Sequence, residues 1–481
     1  MPFQPHALAN DPATSEYDPD QDPAVIAYWD ANSLYPSQML NYLPVGGFRA
    51  EEHANHTAYL YELIDSFNPE NPKGYLICAD MYVPAHQHDE LDWGPIRKGP
   101  THSGGPDKLY SYLGPQEGYL LTLPLAHCYH TILGVRFKKV HRIWSYDQAP
   151  YLRDHILEMA TRRVEAKSDI MKDTYKKCMN SVYGCTIENM EKRTSVATYT
   201  DMFEFEQAVA KNWTPGMKID VRYHYPNGDF LAHRERRPRG GVVLRSPRLV
   251  GVAILDYARV HMYRFYYGFV KLNFGNDARL LYTDTDSIIV RIANVRSVHE
   301  AMQRDPSWFD FSNGRKKLGW TESPENAGMP GPFKFELIRK DGELQHALEY
   351  AASEAKCYGM RIWKEEKAYL RCKGNPKDVV KKHIQFEMVK QAALNQEVVR
   401  TNFRRIQMKN SEAHHVNISK VAMRGDNGKV YKVDKENFLP LGHRDAKIDE
   451  ACKILQRMML RRAFDGWKDA IAENKPNDSS Q

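Results

Sequence analysis

The sequence predicts an α+β fold, and three observations carry that expectation. Short apolar strands are expected at 25–29 and on both sides of a hairpin at 284–286. Long helical runs are expected at 150–168, 170–183 and 249–272. The chain has 481 residues, 42% hydrophobic and 27% charged, which is enough for a large core with several subdomains.

Taken in order, residues 1–24 are rich in Pro, Asp and small polar side chains and read as an irregular lead-in. Asp18, Asp20 and Asp22 have the spacing of a calcium loop. Pro23 stands where such a loop needs glycine, however, and Trp29 where it needs its closing glutamate. The apolar run Val25-Ile26-Ala27-Tyr28-Trp29 then reads as a buried strand ending at Asp30. Residues 44–145 are rich in Gly, Pro, His and Tyr, with strand-like runs at 75–83 and 119–123. Pro150 opens a helix that places Leu152, Ile156, Met159 and Val164 on one side. A second helix follows at once. Residues 208–248 are polar and arginine-rich and read as an insertion. Beyond the apolar helix and the hairpin, the chain after about 370 is basic and expected to be mostly helical, ending in a polar tail. No internal repeat or low-complexity block organises it.

The formal net charge is only +6, so any nucleic-acid surface must come from local clustering. No apolar run approaches the roughly 20 residues that span a bilayer, and the first residues lack the basic start and apolar stretch of a signal peptide. Membrane integration and secretion are therefore not expected; a cytoplasmic or nuclear location is. Seven scattered cysteines without a C-x-x-C pair argue against a disulfide framework or a cysteine zinc site and fit a reducing compartment. His86/His88 and His414/His415 have no second pair at zinc spacing.

Three constellations carry chemistry. The first, Asp30-Ala31-Asn32-Ser33-Leu34-Tyr35-Pro36-Ser37, puts a carboxylate at a strand end before a tight turn, where a cation can reach it. The second is Leu280–Val290, two apolar strands around Asp284-Thr285-Asp286. If the backbone there stays extended, the two acids project on one side and repel unless a divalent cation neutralises them. In the third, Lys172, Lys176, Asn180 and Tyr183 fall near 0°, 40°, 80° and 20° on a helix wheel. One face thus carries cations, an amide and a ring, which suits a nucleoside triphosphate; Arg163 and Lys167 can reinforce the anion site. Together the three describe phosphoryl transfer supported by paired metal ions.

On these motifs the chain resembles the family B DNA polymerases. Asp30–Ser37 matches the D-x-x-S-L-Y-P-S motif, Lys176–Gly184 the K-x-x-x-N-S-x-Y-G motif, and Tyr282–Ser287 the Y-x-D-T-D-S motif. Lys356-Cys357-Tyr358 looks like the family's K-x-Y primer-end motif. The stretch from Lys373 to Phe386, with 250–267 and 309–336, resembles the protein-primed, organellar and viral branch, especially the polymerases of Polinton/Maverick-type elements.

The resemblance implies a right-hand polymerase with an antiparallel-sheet palm, two-helix fingers and a mostly helical thumb. The expected divisions are a lead-in at 1–24, palm at 25–49, palm with a priming-protein-docking insertion at 50–145, and fingers at 146–190. Palm with an insertion near 208–241 follows at 191–370, then thumb and tail at 371–481. The implied catalytic acids are Asp30, Asp284 and Asp286, with Asp30, Asp286 and the Ala31 carbonyl holding two Mg²⁺ ions that Mn²⁺ can replace. Ser33, Leu34, Tyr35, Arg163, Lys167, Lys176, Asn180 and Tyr183 are the implied nucleotide contacts, Tyr35 acting as the gate against a ribose 2′-hydroxyl. Lys356, Tyr358, Arg371, Lys373, Lys381 and Lys382 are the implied DNA contacts. Arg234, Arg236, Arg237, Arg239, Arg245 and Arg248 form a further basic run. The implied partners are primer-template DNA, deoxynucleoside triphosphates, a terminal priming protein and a separate exonuclease subunit. Only 29 residues precede Asp30, too few for the proofreading domain that family members usually carry upstream. The expectation is therefore a polymerase core without its own exonuclease: a truncated chain, a fragment, or one half of a split enzyme whose other half is that subunit.

Two other functions compete with this reading. A DxD glycosyltransferase would use Asp284 and Asp286 but leave the other two motifs idle, and a non-catalytic DNA-binding remnant would not need intact acids. Thr285 between the acids disfavours reverse transcriptases and viral RNA polymerases.

Overall fold

The computed structural model describes residues 3–445, apart from 100–106, 191–194, 200, 212–221, 225–229, 237–245, 314–323, 340, 396, 410–411, 426–427 and 434–437. The sheet that matters most is four-stranded and antiparallel. Its central strands are β1 (Ala24–Ala31) and β7 (Ser287–Ala293); β6 (Ala278–Asp284) flanks β7 and the short β8 (Phe333–Phe335) flanks β1. Both faces of its centre are covered, so β1 and β7 read as continuous apolar runs rather than alternating ones.

The aromatic face of this sheet packs on α5 (Arg248–Phe265), which continues through a π-helical turn at Tyr266–Lys271. Trp29 meets Phe265, Phe269 and Phe335 edge-on, and Phe265 stacks on Phe333 with centroids 3.7 Å apart. Burying such rings contributes about 2–3 kcal/mol each, and it fixes which face of β1 is left for polar groups.

A second sheet continues the core: an edge strand His6–Leu8, then β9 (Ala347–Glu354), β10 (Cys357–Ile362) and β11 (Tyr369–Cys372). A third consists of β2 (Leu43–Ala50), β5 (Arg136–Ala149), β3 (Lys73–Tyr82) and β4 (Gln116–Thr122), backed by α2 (Leu123–Thr131). Thr122 at the end of β4 caps onto Asp256 of α5 through both its amide and its hydroxyl, at 3.0 Å each. Asp256 pairs in turn with Arg259 at 3.3 Å. This link ties the third sheet to the helix behind the first.

Two helices stand beside the motif sheet. α3 (Arg153–Glu165) begins after a turn at Pro150, and α4 (Asp169–Thr186) is capped by the Ser168 hydroxyl, which accepts from the Met171 amide. Ile156, Ala160 and Met179 anchor the pair against Met39, Leu43 and the start of α5, and most of α4 is exposed. The expected insertion at 208–241 lies largely outside the described residues, as do Arg237, Arg239 and Arg245. Within it, strands Arg222–His224 and Phe230–Arg236 pair with each other, and the latter also with Ser195–Tyr199.

One expectation is overturned. The region after 370 is not mostly helical among the described residues. Two short helices, α6 (Lys377–His383) and α7 (Phe386–Asn395), lead into a long hairpin of β12 (Val399–Lys409) and β13 (Glu412–Met423). The cause is a set of β-branched residues, which favour the extended chain, hidden among the charges: half-buried Val416 and Ile418 alternate with exposed Asn417 and Ser419, a short period of two that ends at Lys420. Residues 446–481, the rest of that region, lie outside the described residues. Among the described residues no helix is long and apolar enough to cross a membrane.

Candidate active site

The register of the first sheet brings the acids together. Asp30 is the direct partner of Ser287 on β7 and of Lys334 on β8, and the Ala31 amide donates to the Asp286 carbonyl at 2.7 Å. Residues far apart in sequence thus share one strand end. The turn joining β6 and β7 is tight: the Asp286 amide donates to the Asp284 carbonyl at 2.8 Å, and Thr285 has φ +66°. The backbone there is therefore not extended, and the alternation expected to put Asp284 and Asp286 on one side does not operate. Asp286 faces Asp30, whereas an Asp284 carboxylate oxygen pairs with the Lys356 ammonium at 3.3 Å.

Ser33 at φ +45° and Lys356 at φ +65° join Thr285 in the left-handed region, one at each turn beside the acids. Non-glycine residues there cost about 1 kcal/mol each or more. Strain of this kind persists only where surrounding contacts dictate it, and here it aims the ends of the three turns at one point.

Electrostatics define that point. Burial pushes the Asp30 carboxyl up to about 8, with Asp286 and Glu336 adding to the rise and Lys176 and Lys334 opposing it. Asp286 is raised as well, by burial first and then by Asp284, while Lys356 and Lys176 pull it down. Glu336 is raised by burial, offset by Lys334 and Arg371. Three carboxyl groups thus share a partly buried pocket with too little positive charge to ionise them all. A divalent cation between Asp30 and Asp286 would supply what is missing.

The flanking residues fall as follows. Among the described residues Lys176 of α4 makes no ion pair with either acid, but its charge lowers both. Tyr35 and Tyr183 stack with centroids 4.1 Å apart and planes 11° from parallel; burial raises Tyr35 to about 12. Leu34 is buried, and Ser33 caps α1 (Leu34–Gln38) without a side-chain hydrogen bond. Asn180 and Lys167 are exposed and Arg163 is half-buried; among the described residues neither of the two cations pairs with Asp30 or Asp286. The Lys356 amide donates to the Tyr282 hydroxyl at 2.9 Å. Tyr358 is 5% exposed, its hydroxyl 3.5 Å from that of Tyr28, so it is mainly a packed ring. Arg371 lies over the Tyr369 ring at 4.5 Å. With Lys381, Lys382, Arg361, Lys364 and Lys367 it lines a groove of about 910 Å³, six bases against Glu16, Glu365 and Glu366. Lys373 is exposed, its amide bonded to the Lys356 carbonyl at 2.9 Å.

Sequence reasoning missed Lys334, Glu336 and Asp310. Lys334 and Glu336 share a face with Asp30 because they alternate with Phe333 and Phe335. That alternation is the only signal, and a three-residue strand is too short to read from it. Asp310, fully buried, accepts from the Asn32 side chain at 2.6 Å and from the Gly328 amide at 2.8 Å, and pairs with Lys334 at 3.3 Å. Burial acts to raise it, yet Lys334 and the Ser312 and Gly328 contacts hold it below the ordinary carboxylate range.

A half-buried acid pair at adjoining strand ends, under the charge of a lysine-bearing helix, has the donor set that a divalent cation and phosphoryl chemistry would need. The chain belongs to the organellar and viral type B DNA polymerases: residues 23–267 match the family model described as DNA polymerase type B, organellar and viral. Two solved structures resemble it. One is phi29 DNA polymerase complexed with primer-template DNA (post-translocation binary complex), 14% identical over 87% of this chain and 61% of that one, TM-score 0.47. The other is phi29 DNA polymerase with primer-template DNA and incoming nucleotide substrates (ternary complex), 14% identical over 87% and 60%, TM-score 0.49. The chain spans about three-fifths of the length of these polymerase chains. No curated protein sequence matches it.

Proposed function

We propose that the chain is a template-directed DNA polymerase that extends a primer 3′-hydroxyl with deoxynucleotides by a two-metal mechanism. The observation that carries this reading is the convergence of Asp30 and Asp286 at one strand end under the charge of Lys176. Family membership supports the substrate class.

In this reading Asp30, Asp286 and the Ala31 carbonyl hold two Mg²⁺ ions, or Mn²⁺, which when bound favour ionisation of the primer hydroxyl and neutralise triphosphate charge. That hydroxyl oxygen bonds to the α-phosphorus as the bond to the β-phosphate oxygen breaks, and pyrophosphate leaves with the electron pair. Lys176, with Arg163 or Lys167, binds the outgoing phosphates. Tyr35 closes the space beside the sugar C2′, Ser33 and Leu34 shape the turn beneath it, and Tyr183 and Asn180 line the nascent base pair. Asp284 is held by Lys356 and supports the hairpin that carries Asp286. Lys356, the Tyr358 hydroxyl, Arg371, Lys373, Lys381 and Lys382 hold primer and duplex. In a protein-primed start, the first hydroxyl comes from a Ser, Thr or Tyr of a terminal protein docked on the 50–145 region.

Primer extension on a gapped template with Mg²⁺ tests the reading. Extension is expected, and Asp286→Ala abolishes it (a fall of roughly 10³-fold or more) while primer-template binding persists. Binding with no Mg²⁺-dependent extension by the native chain would establish the DNA-binding remnant instead. Turnover of a nucleotide sugar in place of a deoxynucleotide would establish the glycosyltransferase. A start on a template without a DNA primer, dependent on added terminal protein, tests the priming mode.

A further inference from the structure

Two buried thiols that the proposed reaction does not use face each other where the second sheet meets the β12–β13 hairpin. Cys357 and Cys372 are direct partners across β10 and β11. The neighbouring Lys373 amide donates to the Lys356 carbonyl at 2.9 Å, which makes Cys357–Cys372 a non-hydrogen-bonded pair, the kind in which facing side chains come closest. Both are free thiols with sulfurs 3.8 Å apart. Both S–H groups reach the same acceptor, the Ala422 carbonyl of β13, at 3.7 and 3.2 Å. The Asn375 amide donates to Cys372 Sγ at 3.2 Å. Each thiol adjoins residues placed at the DNA: Cys357 lies between Lys356 and Tyr358, and Cys372 between Arg371 and Lys373.

We propose that Cys357 and Cys372 are a redox pair that a low-molecular-weight disulfide closes into one cross-strand disulfide, removing both thiol donors from Ala422 and loosening the β12–β13 hairpin from the sheet. Cys372 reacts first, being 8% exposed against 2% for Cys357. When Cys372 ionises, the Cys357 S–H turns from Ala422 to the Cys372 sulfur, and this bond, with help from Asn375, holds the Cys372 thiol below its ordinary pKa against the effect of burial. Its thiolate attacks one sulfur of glutathione disulfide, forming a mixed disulfide and expelling one glutathione thiolate, which takes up a proton. Cys357 then loses its proton and attacks the Cys372 sulfur, expelling the second glutathione. The protein gives up two protons and two electrons, and one glutathione disulfide becomes two glutathione thiols.

The consequence for DNA rests on the polymerase reading; the chemistry of the pair does not. The full chain, freed of reductant, is equilibrated with glutathione mixtures of rising disulfide content, alkylated, digested and mapped by mass. The expected product is a peptide joining Cys357 to Cys372, lighter by two hydrogens than the free pair, while exposed Cys178 and Cys185 carry glutathione adducts. Cys357→Ser is expected to stop at a glutathione adduct on Cys372. Free, alkylatable Cys357 and Cys372 in a mixture that fully modifies Cys178 and Cys185 would overturn the proposal. In the oxidised chain, primer-template affinity is expected to fall about fivefold, the worth of one or two hydrogen bonds, and to recover with dithiothreitol but not to change in Cys357→Ser/Cys372→Ser. An unchanged affinity in the cross-linked protein would overturn the hairpin release. Reduced protein that binds no primer-template at all would count against the polymerase reading, and the peptide map would still decide the disulfide.

Discussion

Asp30 ends a strand whose residues from Ala24 to Trp29 are all buried, and that burial does most to disfavour its charge. With Asp286 and Glu336 adjacent, the metal-free carboxyl titrates at about 8 rather than near 4. The folded chain therefore binds a proton more tightly than the unfolded one. Stability from this group is complete below the unfolded pKa and is lost as pH rises through the folded value. Melting in EDTA across pH 5 to 9 should show the native chain falling with pH, and Asp30→Asn should remove about 2–4 kcal/mol of that fall. Equal pH slopes for the two proteins would mean that Asp30 is solvated. The stacked rings of Tyr35 and Tyr183 give a second expectation at this scale. Tyr35→Val opens the space beside the sugar, so ribonucleotide use should rise roughly tenfold or more relative to deoxynucleotide use. An unchanged ratio of kcat/KM values would remove Tyr35 from its role as gate.

At the scale of the element, β8 is only three residues long, yet it delivers Lys334 opposite Asp30 and anchors it on the buried Asp310. Removing one partner of a buried pair strands the other charge. Lys334→Met should therefore destabilise the chain by about 3 kcal/mol, and adding Asp310→Asn should recover part of that, because the carboxylate left alone is gone. Denaturant unfolding of the two single variants and the double variant measures the coupling; additive losses would show that the pair does not interact. The motif strand, the two helices of which the second bears Lys176, and the 284–286 hairpin were legible in the sequence because each carries a strong local pattern. β8 was not, because its meaning lies in register with a strand three hundred residues earlier. The β12–β13 hairpin was hidden differently: its charged positions look helical by composition, and only a count of alternation would have revealed it. The hairpin around Asp284 was legible, but the pairing of Asp284 with Lys356 was not, since a left-handed Thr285 cannot be read from residue type.

For the whole molecule, an excess of six positive charges over 481 residues cannot by itself hold a polyanion. What the fold does is gather bases from separate elements: Arg361 and Lys364 from the β10 end and its following turn, Arg371 from β11, and Lys381 and Lys382 from α6 all line one groove. The acidic side chains there, Glu16, Glu365 and Glu366, leave the groove with a surplus of bases, and phosphates that enter it displace their own counterions. Each lysine that contacts a phosphate then adds about 0.9 to the slope of log affinity against log salt. Lys381→Ala/Lys382→Ala should lower that slope by roughly two while leaving sequence preference unchanged, because phosphate contacts position the duplex without reading it. Fluorescence anisotropy of a labelled primer-template over a salt series measures both quantities. A slope equal to that of the native chain would place the duplex elsewhere, and would leave this groove without a part in binding it.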